Sequence, residues 1–362
     1  MSRIHIALVG REALPVFYTV AEYNPDMTYF VGTSETQETI RNLQSAMAAH
    51  DLQSQAVVVP PYDIKQIVDQ CEAIHTDNGE AEYIYNITGG TKLMAVGAML
   101  CAQRHGARMV YTDSASITDL ATFETSELYT RLDTSTIFTL QGQEVRSYSV
   151  FTPDAARREC AQDIASFIRD HIRAYNDLMN QYLRFKQIPK EYETTHTFYQ
   201  RDDSGIYVEY DNVEVLNIDH SDAFSLLFDG RWWETLVAET LHERYNGRYE
   251  MWTNVRFKPQ TTDDARKDKN EVDILLNIGN TLLFVECKSG AFDQNNIYKL
   301  ESVCQTYGGY KSRGVIVAFQ QNAIKAELLE KARDRKIDII VPDATLANLG
   351  PRLDTIIKSL KA

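Results

Sequence analysis

"NEVDILLNIGNTLLFVECKSG", residues 270–290, reads as two short strands joined by a tight turn at Gly279-Asn280. A two-residue turn sets Ile278 against Thr281, Asp273 against Glu286 and Glu271 against Lys288. Alternation then puts all four charges on one face, with Leu275, Asn277, Leu282 and Phe284. Carboxylates directly opposed in an apolar strand pair repel, and burying them uncompensated is costly. A hard divalent cation, Mg²⁺ or Mn²⁺, resolves the conflict because such ions take carboxylate oxygens. Lys288 then stands within reach of an attacking water or a phosphate. The competing reading is an ordinary salt-bridged strand end with Glu271 paired to Lys288.

Upstream, "GRWWETLVAETL" reads as a helix that puts Glu234 on the same face as Val237, Ala238 and Leu241. A carboxylate on an apolar stripe is odd for packing and apt for binding a cation. The helix after the hairpin carries Tyr298, Lys299 and Gln305 as weaker candidates for substrate contact.

Asp273 followed by Glu286-Cys287-Lys288 resembles the Asp…(Asp/Glu)-x-Lys pattern of the PD-(D/E)xK nuclease superfamily. Val272 stands where that pattern usually has proline. The resemblance implies a restriction-endonuclease-like α/β domain. It implies Glu234, Asp273, Glu286 and the Cys287 carbonyl as metal ligands. Lys288 would orient or activate the attacking water, so the implied catalytic set is Glu234, Asp273, Glu286 and Lys288. Glu271 is either a further metal ligand or the partner of Lys288.

Residues 1–112 alternate strand and helix signals, as in "RIHIALVG", "MTYFVGTSET", "SQAVVVPP", "AEYIYNITGG" and "ARMVYTDS". Strands separated by helical stretches predict a parallel, doubly wound sheet. In "YIYNITGGTKLMAVGAML", residues 83–100, a strand ends in two glycines and a helix starts at Thr91. Glycines leave backbone N–H groups open, and a helix N-terminus favours anions. Asn86, Thr88, Thr91 and Lys92 add donors. The spacing is neither that of a Walker A loop nor G-x-G-x-x-G, and a plain strand–helix turn would also fit.

The stretch Asn86-x-Thr88-Gly89-Gly90-Thr91-Lys92-x-Met94 resembles the signature loop of CARF domains. These are Rossmann-like dimeric sensors of the cyclic oligoadenylates made by type III CRISPR complexes. The resemblance implies further ligand contacts at strand ends, here Gly10 and Arg11 after the first strand and Thr33 and Ser34 after the second. Tyr111 and Asp113 are weaker candidates. In a doubly wound sheet the ligand crevice lies at the carboxyl ends of the strands.

Residues 115–150 read as appended hairpins, in "DLATFET", "STIFTLQGQ" and "EVRSYSVF". Pro153-Asp154 opens one long helical segment to about Lys186. Its stripe of Ile164, Phe167, Ile168, Ile172, Tyr175, Leu178, Met179 and Tyr182 reads as core or dimer contact. Residues 190–227 read as short strands around a turn at "DDSG". The expected domains are 1–150 (sensor), 151–227 (linker region) and 228–362 (nuclease).

The net charge of −14 is unevenly spread. From Phe228 onward 20 Lys+Arg meet 19 Asp+Glu, leaving 17 of the 37 basic and 32 of the 51 acidic residues before it. The nearly neutral final third, with basic clusters "ARKDK" and "KARDRK", tolerates a polyanion. Cys71, Cys101, Cys160, Cys287 and Cys304 form no C-x-x-C pair, which argues against a disulfide framework and a zinc cluster. No apolar run approaches the ~20 residues of a membrane span. "MSRIHIALVGRE" lacks the features of a secretory signal and reads as the first strand of a cytoplasmic protein.

The joint expectation is a homodimeric, Mn²⁺- or Mg²⁺-dependent nuclease activated by cyclic tetra-adenylate, cleaving or nicking DNA and also cutting RNA. Two other classes fit: a nucleotide-regulated restriction or repair endonuclease, and a non-catalytic ligand-responsive DNA-binding regulator.

Overall fold

Strand and helix alternate through the first 112 residues, as the patterning requires. β1 (Arg3–Leu8), α1 (Leu14–Tyr23), β2 (Met27–Gly32), α2 (Gln37–Ala49), β3 (Ser54–Val58) and α3 (Ile64–Asn78) come first. β4 (Glu82–Asn86), α4 (Lys92–Arg104), β5 (Arg108–Thr112), β6 (Ser116–Asp119), β7 (Thr125–Glu127) and α5 (Thr134–Leu140) follow. The computed structural model describes residues 1–113, 116–258, 271–279, 281–309, 312–319, 324–343 and 346–361. The turn residue Asn280 and the "ARKDK" cluster lie outside the described residues.

The sheet order is β3-β2-β1-β4-β5-β6-β7, parallel through β5 and antiparallel beyond it. This is the expected Rossmann-like doubly wound sheet. β1 is central, and all but its first residue are buried, as befits a parallel strand covered on both faces. Ile4, Ile6 and Leu8 pack with Ile67, Ile74, Met94 and Ala98 of α3 and α4. The strand order reverses between β1 and β4, which opens the crevice where the glycine loop sits.

"DLATFET" forms the β6–β7 hairpin, but "STIFTLQGQ" is the helix α5 and not a strand. Asp133 caps it, its carboxylate accepting from Thr136 N at 2.8 Å and Thr136 Oγ1 at 2.6 Å. That cap overrides the β-propensity of Thr, Ile and Phe. Ile137, Phe138 and Leu140 are buried.

The chain divides into two units, Met1–Val145 and Arg146–Leu360. The second holds β8 (Val145–Val150), α6 (Ala155–Asp170), α7 (Ile172–Phe185), β9 (Glu191–Glu193), β10 (Thr197–Arg201), β11 (Gly205–Tyr210) and β12 (Val213–Asp219). Next come α8 (Ala223–Phe228), α9 (Arg231–Tyr245), β13 (Glu250–Phe257), β14 (Glu271–Asn277), β15 (Leu282–Lys288) and α10 (Gln294–Tyr307). β16 (Arg313–Ala318), α11 (Ala326–Asp334), β17 (Ile337–Ile340) and α12 (Leu349–Lys361) end the chain. The main sheet runs β17-β16-β15-β14-β13-β8, mixing an antiparallel β13–β14–β15 meander with parallel β15–β16–β17. This is the restriction-endonuclease-like α/β architecture.

"EVRSYSVF", expected as a hairpin of the sensor, is therefore an edge strand of this second sheet. Tyr148 stacks on Trp252 of β13 at 3.7 Å, which fixes it there. Residues 151–227, expected as a linker region, pack into the second unit's core. The expected single helix is broken at His171 (φ −129°, ψ 45°) into α6 and α7. The apolar stripe along both helices is core or packs against it. β9–β12 form a separate antiparallel sheet, with Asp202 capping the "DDSG" turn.

Gly89 is the most closely enclosed glycine of the first unit. A Cβ there would lie 2.2 Å from Leu8 O and 2.6 Å from Gly10 N. Gly89→Ala must push the loop away from the end of β1. Urea unfolding of the full chain should show a loss of about 1–3 kcal/mol, the usual cost of overpacking.

Candidate active site and candidate ligand loop

The hairpin adopts the expected register. Ile274 faces Val285, Leu275 Phe284, Leu276 Leu283 and Asn277 Leu282. Ile278 N donates to Thr281 O at 2.9 Å. Regular pairing stops short of Asp273. Its carboxylate instead accepts from the Cys287 N–H at 2.6 Å, which turns it toward the strand end where Glu286 lies. Glu286 is only 6% exposed. Lys288 Nζ donates to Glu286 Oε1 at 2.6 Å, and Lys299 Nζ of α10 lies 3.9 Å from the same oxygen.

Helix α9 brings the third carboxylate. Its cap, Gly230, has φ +78°, and a Cβ there would sit 2.5 Å from Ser289 Oγ, so the helix starts hard against the segment after β15. Trp233 Nε1 donates to Val317 O at 2.9 Å and sets the helix rotation. Glu234, one residue on, faces the hairpin charges. Burial holds its carboxyl above the usual range. Arg231 opposes that rise, and Glu271 and Glu286 add to it. Asp273 is raised further, first by burial and then by Glu286 and Glu234. Burial pulls Lys288 down, but Glu286 and Asp273 outweigh it and keep the ammonium charged.

Asp273 and Glu234, both raised by burial and by the neighbouring Glu286, form with it an undercompensated acidic cluster. Lys288 neutralises one charge of three. The carboxylates of Asp273, Glu286 and Glu234 are the oxygen donors that could hold a hard divalent cation here.

Glu271 makes no ion pair with Lys288, though it lies near enough to Glu234 to raise that carboxyl. It accepts from Arg256 Nη2 at 3.2 Å across β13–β14. Of the α10 candidates, Lys299 reaches the site. Gln305 donates to Glu301 at 3.2 Å, and Tyr298 lies beneath Lys331 and Arg335.

A pocket of about 330 Å³ opens beside Asp273 and Glu234, lined also by Arg157, Arg231, Thr235 and Asn254. Sequence reading missed these. Arg157 is a helix residue held by Asp222 at 2.7 Å and Thr235 at 3.2 Å. Asn254 has φ +51° within β13, a left-handed residue inside a strand at the level of Asp273. Strain of that kind collects at functional sites. Asn tolerates this conformation better than most residues, but nothing in its sequence neighbours marks it.

In the first unit, the ends of β1, β2 and β4 bring Gly10, Arg11, Thr33, Ser34 and the 88–92 stretch to one edge of the sheet. Gly10 abuts Gly90 N. Thr91 caps α4: its Oγ1 accepts from Met94 N at 3.2 Å and donates to Pro61 O at 2.7 Å. Arg11, Ser34, Gly90 and Lys92 are exposed.

Asn86 and Met94 lie beneath this surface. Asn86 is fully buried. It donates to Thr19 Oγ1 at 2.7 Å and accepts from Thr88 N and Oγ1. Thr88 Oγ1 also accepts from Thr112 N at 2.7 Å, tying the loop to β5. Met94 is core, its sulfur against Thr91 N. Thr33 is nearly buried, its N–H donating to Thr36 Oγ1. Tyr111 is exposed near the end of β5, and Asp113 accepts from the N–H of Ser116, the first residue of β6.

Residues 4–137 match the Card1 CARF domain family, and residues 222–358 match the Card1-like endonuclease domain family. No curated protein matches the chain significantly. Among solved structures, Can2 from Sulfobacillus thermosulfidooxidans, in complex with cyclic tetra-adenylate, superposes with a TM-score of 0.73 at 18% identity, over 98% of this chain and 99% of that one. VC1899 from Vibrio cholerae superposes at 0.76 and 16% identity, over 99% and 98%. A type III CRISPR defence DNA nuclease activated by cyclic oligoadenylate matches at 0.61 and 18% identity, over 98% of this chain and 52% of that one. Among the described residues no helix is long and apolar enough to cross a membrane. The chain thus joins an N-terminal Card1 CARF domain to a C-terminal Card1-like endonuclease domain.

Proposed function

We propose that this protein is a divalent-metal-dependent endonuclease of type III CRISPR defence, switched on by cyclic tetra-adenylate, that cuts or nicks DNA and also cuts RNA. The observation that carries the reading is the convergence of Asp273, Glu286 and Glu234 with Lys288 at one strand end. The intact set argues against a purely DNA-binding regulator. The nucleotide side rests on the glycine loop at the sheet's switch point and on the likeness to Can2, which was solved with the ring ligand.

Asp273, Glu286, Glu234 and the Cys287 carbonyl would hold Mn²⁺ or Mg²⁺. When bound, the cation makes a water acidic enough to attack and steadies the charge that develops on the phosphate. The Lys288 ammonium, held at Glu286, orients that water or the scissile phosphate. Lys299 adds positive charge at the same rim. Arg157 and Arg231 line the adjoining pocket and would position backbone phosphates.

In the sensor, the exposed backbone around Gly90, the α4 N-terminus and the Arg11 and Lys92 side chains would take the ligand's phosphates. Asn86, Thr88 and Met94 position that loop from below. An exposed apolar stripe on α4, Leu93, Val96 and Leu100, supports a homodimer formed alongside the loop. A ring ligand shared by two protomers would favour the dimer arrangement with a working nuclease pair.

The deciding experiment incubates the full chain with Mn²⁺ and plasmid, single-stranded DNA or RNA, with and without cyclic tetra-adenylate or cyclic hexa-adenylate. Cleavage should require the metal and the ring of four adenylates; equal cleavage without any ring ligand would refute the switch. Glu286→Ala and Lys288→Ala should each lower cleavage by about 10²–10⁴-fold and leave ligand binding intact. Lys92→Ala should raise the ligand concentration needed by about 10–100-fold, the range for a lost charged hydrogen bond.

A second expectation concerns pH. Asp273 and Glu234 hold protons to higher pH in the folded chain than in the unfolded one. The folded state therefore binds more protons, and metal-free stability falls as pH rises from the ordinary carboxylate range through the raised values. Melting curves in EDTA should show this fall, and Asp273→Asn should flatten it.

A further inference from the structure

Helices α3 and α4 lie side by side. Ile67 packs on Gly97 and the rings of His75 and His105 stack at 3.8 Å, so the register between these pairs sets Cys71 beside Cys101. The pairs advance by four residues along both chains, so the helices run parallel and present matched stripes. Each stripe carries a cysteine and, one turn later, a histidine: Cys71 and His75, Cys101 and His105. Donor atoms of His75, Cys101 and His105 lie within 4.8 Å of one another. Both cysteines are fully buried and His75 nearly so, while His105 closes the cluster at the surface.

We propose that these four side chains form a structural zinc site that staples α3 to α4. Two thiolates and two imidazoles are the donor set of closed tetrahedral zinc sites. At bond lengths of about 2.0–2.3 Å the donors of such a site stand about 3.3–3.8 Å apart. Closing the site turns the His75 and His105 rings out of their stack so that both lone pairs meet one ion, and swings in Cys71, which lies one helical turn before His75 on α3. Each thiol releases its proton to solvent on binding, and the resulting site is neutral, as its burial requires. The surroundings supply supporting hydrogen bonds. Glu72 lies 2.6 Å from His105 Nε2 and is itself held by Arg104 at 3.2 Å. The Tyr85 hydroxyl lies 3.0 Å from His75 Nε2 and donates to Cys101 Sγ at 3.3 Å. The ligands do not announce themselves in the sequence because each pair spans one helical turn and the pairs come from separate helices. The staple holds α4, the helix whose N-terminus forms the glycine loop.

The test titrates Co²⁺ into the reduced, metal-free full chain and follows sulfur-to-cobalt charge-transfer absorption. The site predicts a band that saturates at one Co²⁺ per chain, is displaced by Zn²⁺, and persists in Glu286→Ala, whose missing carboxylate belongs to the nuclease centre. Cys101→Ser, which leaves one thiolate, should lower the band at least two-fold. His105→Ala, at the exposed end of the cluster, should keep the fold by circular dichroism and weaken Co²⁺ binding at least 10-fold, which decides the matter if the serine variant does not fold. Absence of the band, a band unchanged in His105→Ala, or recovery of a Cys71–Cys101 disulfide two hydrogens lighter with no metal uptake after reduction would overturn the proposal.

Discussion

The second unit is organised around one electrostatic conflict. Asp273 is turned inward by the Cys287 N–H, Glu286 is nearly sealed from water, and Glu234 is carried to them by a helix locked through Gly230 and Trp233. Burial prevents water from screening these charges, and the proton affinities of Asp273 and Glu234 rise. A fold that needed only stability would place apolar groups there. Retaining three acids and one lysine makes sense where a cation and a phosphate complete the charge balance. The mixed sheet is what permits it: β14 and β15 pair tightly through Ile274 and Val285, then part at the level where the acids lie.

The first unit solves a different problem with neutral groups. Its glycine loop is held from below by a buried polar chain, Asn86 to Thr19 and Thr88 to Thr112 N, and by the thioether of Met94. Fixing the backbone this way leaves its outer surface to Gly90, Lys92 and Arg11. A pre-set loop pays little ordering entropy on binding an anion. The motif residues thus divide into those that shape the loop and those left on its outer surface.

Much of this was legible in the sequence because it depends on local rules. The Gly279 turn sets the hairpin register, and the register puts Asp273 and Glu286 on one face. The helical stripe around Glu234 likewise gave its direction. What escaped depends on the tertiary context. Asp133 turned a β-prone stretch into α5 through a single cap. "EVRSYSVF" had the right period for a strand but gave no sign of which sheet would take it, and the Tyr148–Trp252 stack decided that. Glu271 took Arg256 as its partner because β13, invisible to hairpin reasoning, lies alongside. Asn254, Arg157 and the Cys71–His105 cluster are products of packing between distant elements.

The account rests on the claim that the acids at the β14–β15 strand end demand a cation. Calorimetric titration of Mn²⁺ into the full chain without nucleic acid measures that demand directly. The account predicts saturable binding of at least one Mn²⁺ per chain, with protons released as Asp273 and Glu234 ionise, and loss of that binding in Asp273→Asn. Absence of binding, or binding that Asp273→Asn leaves unchanged, would contradict it.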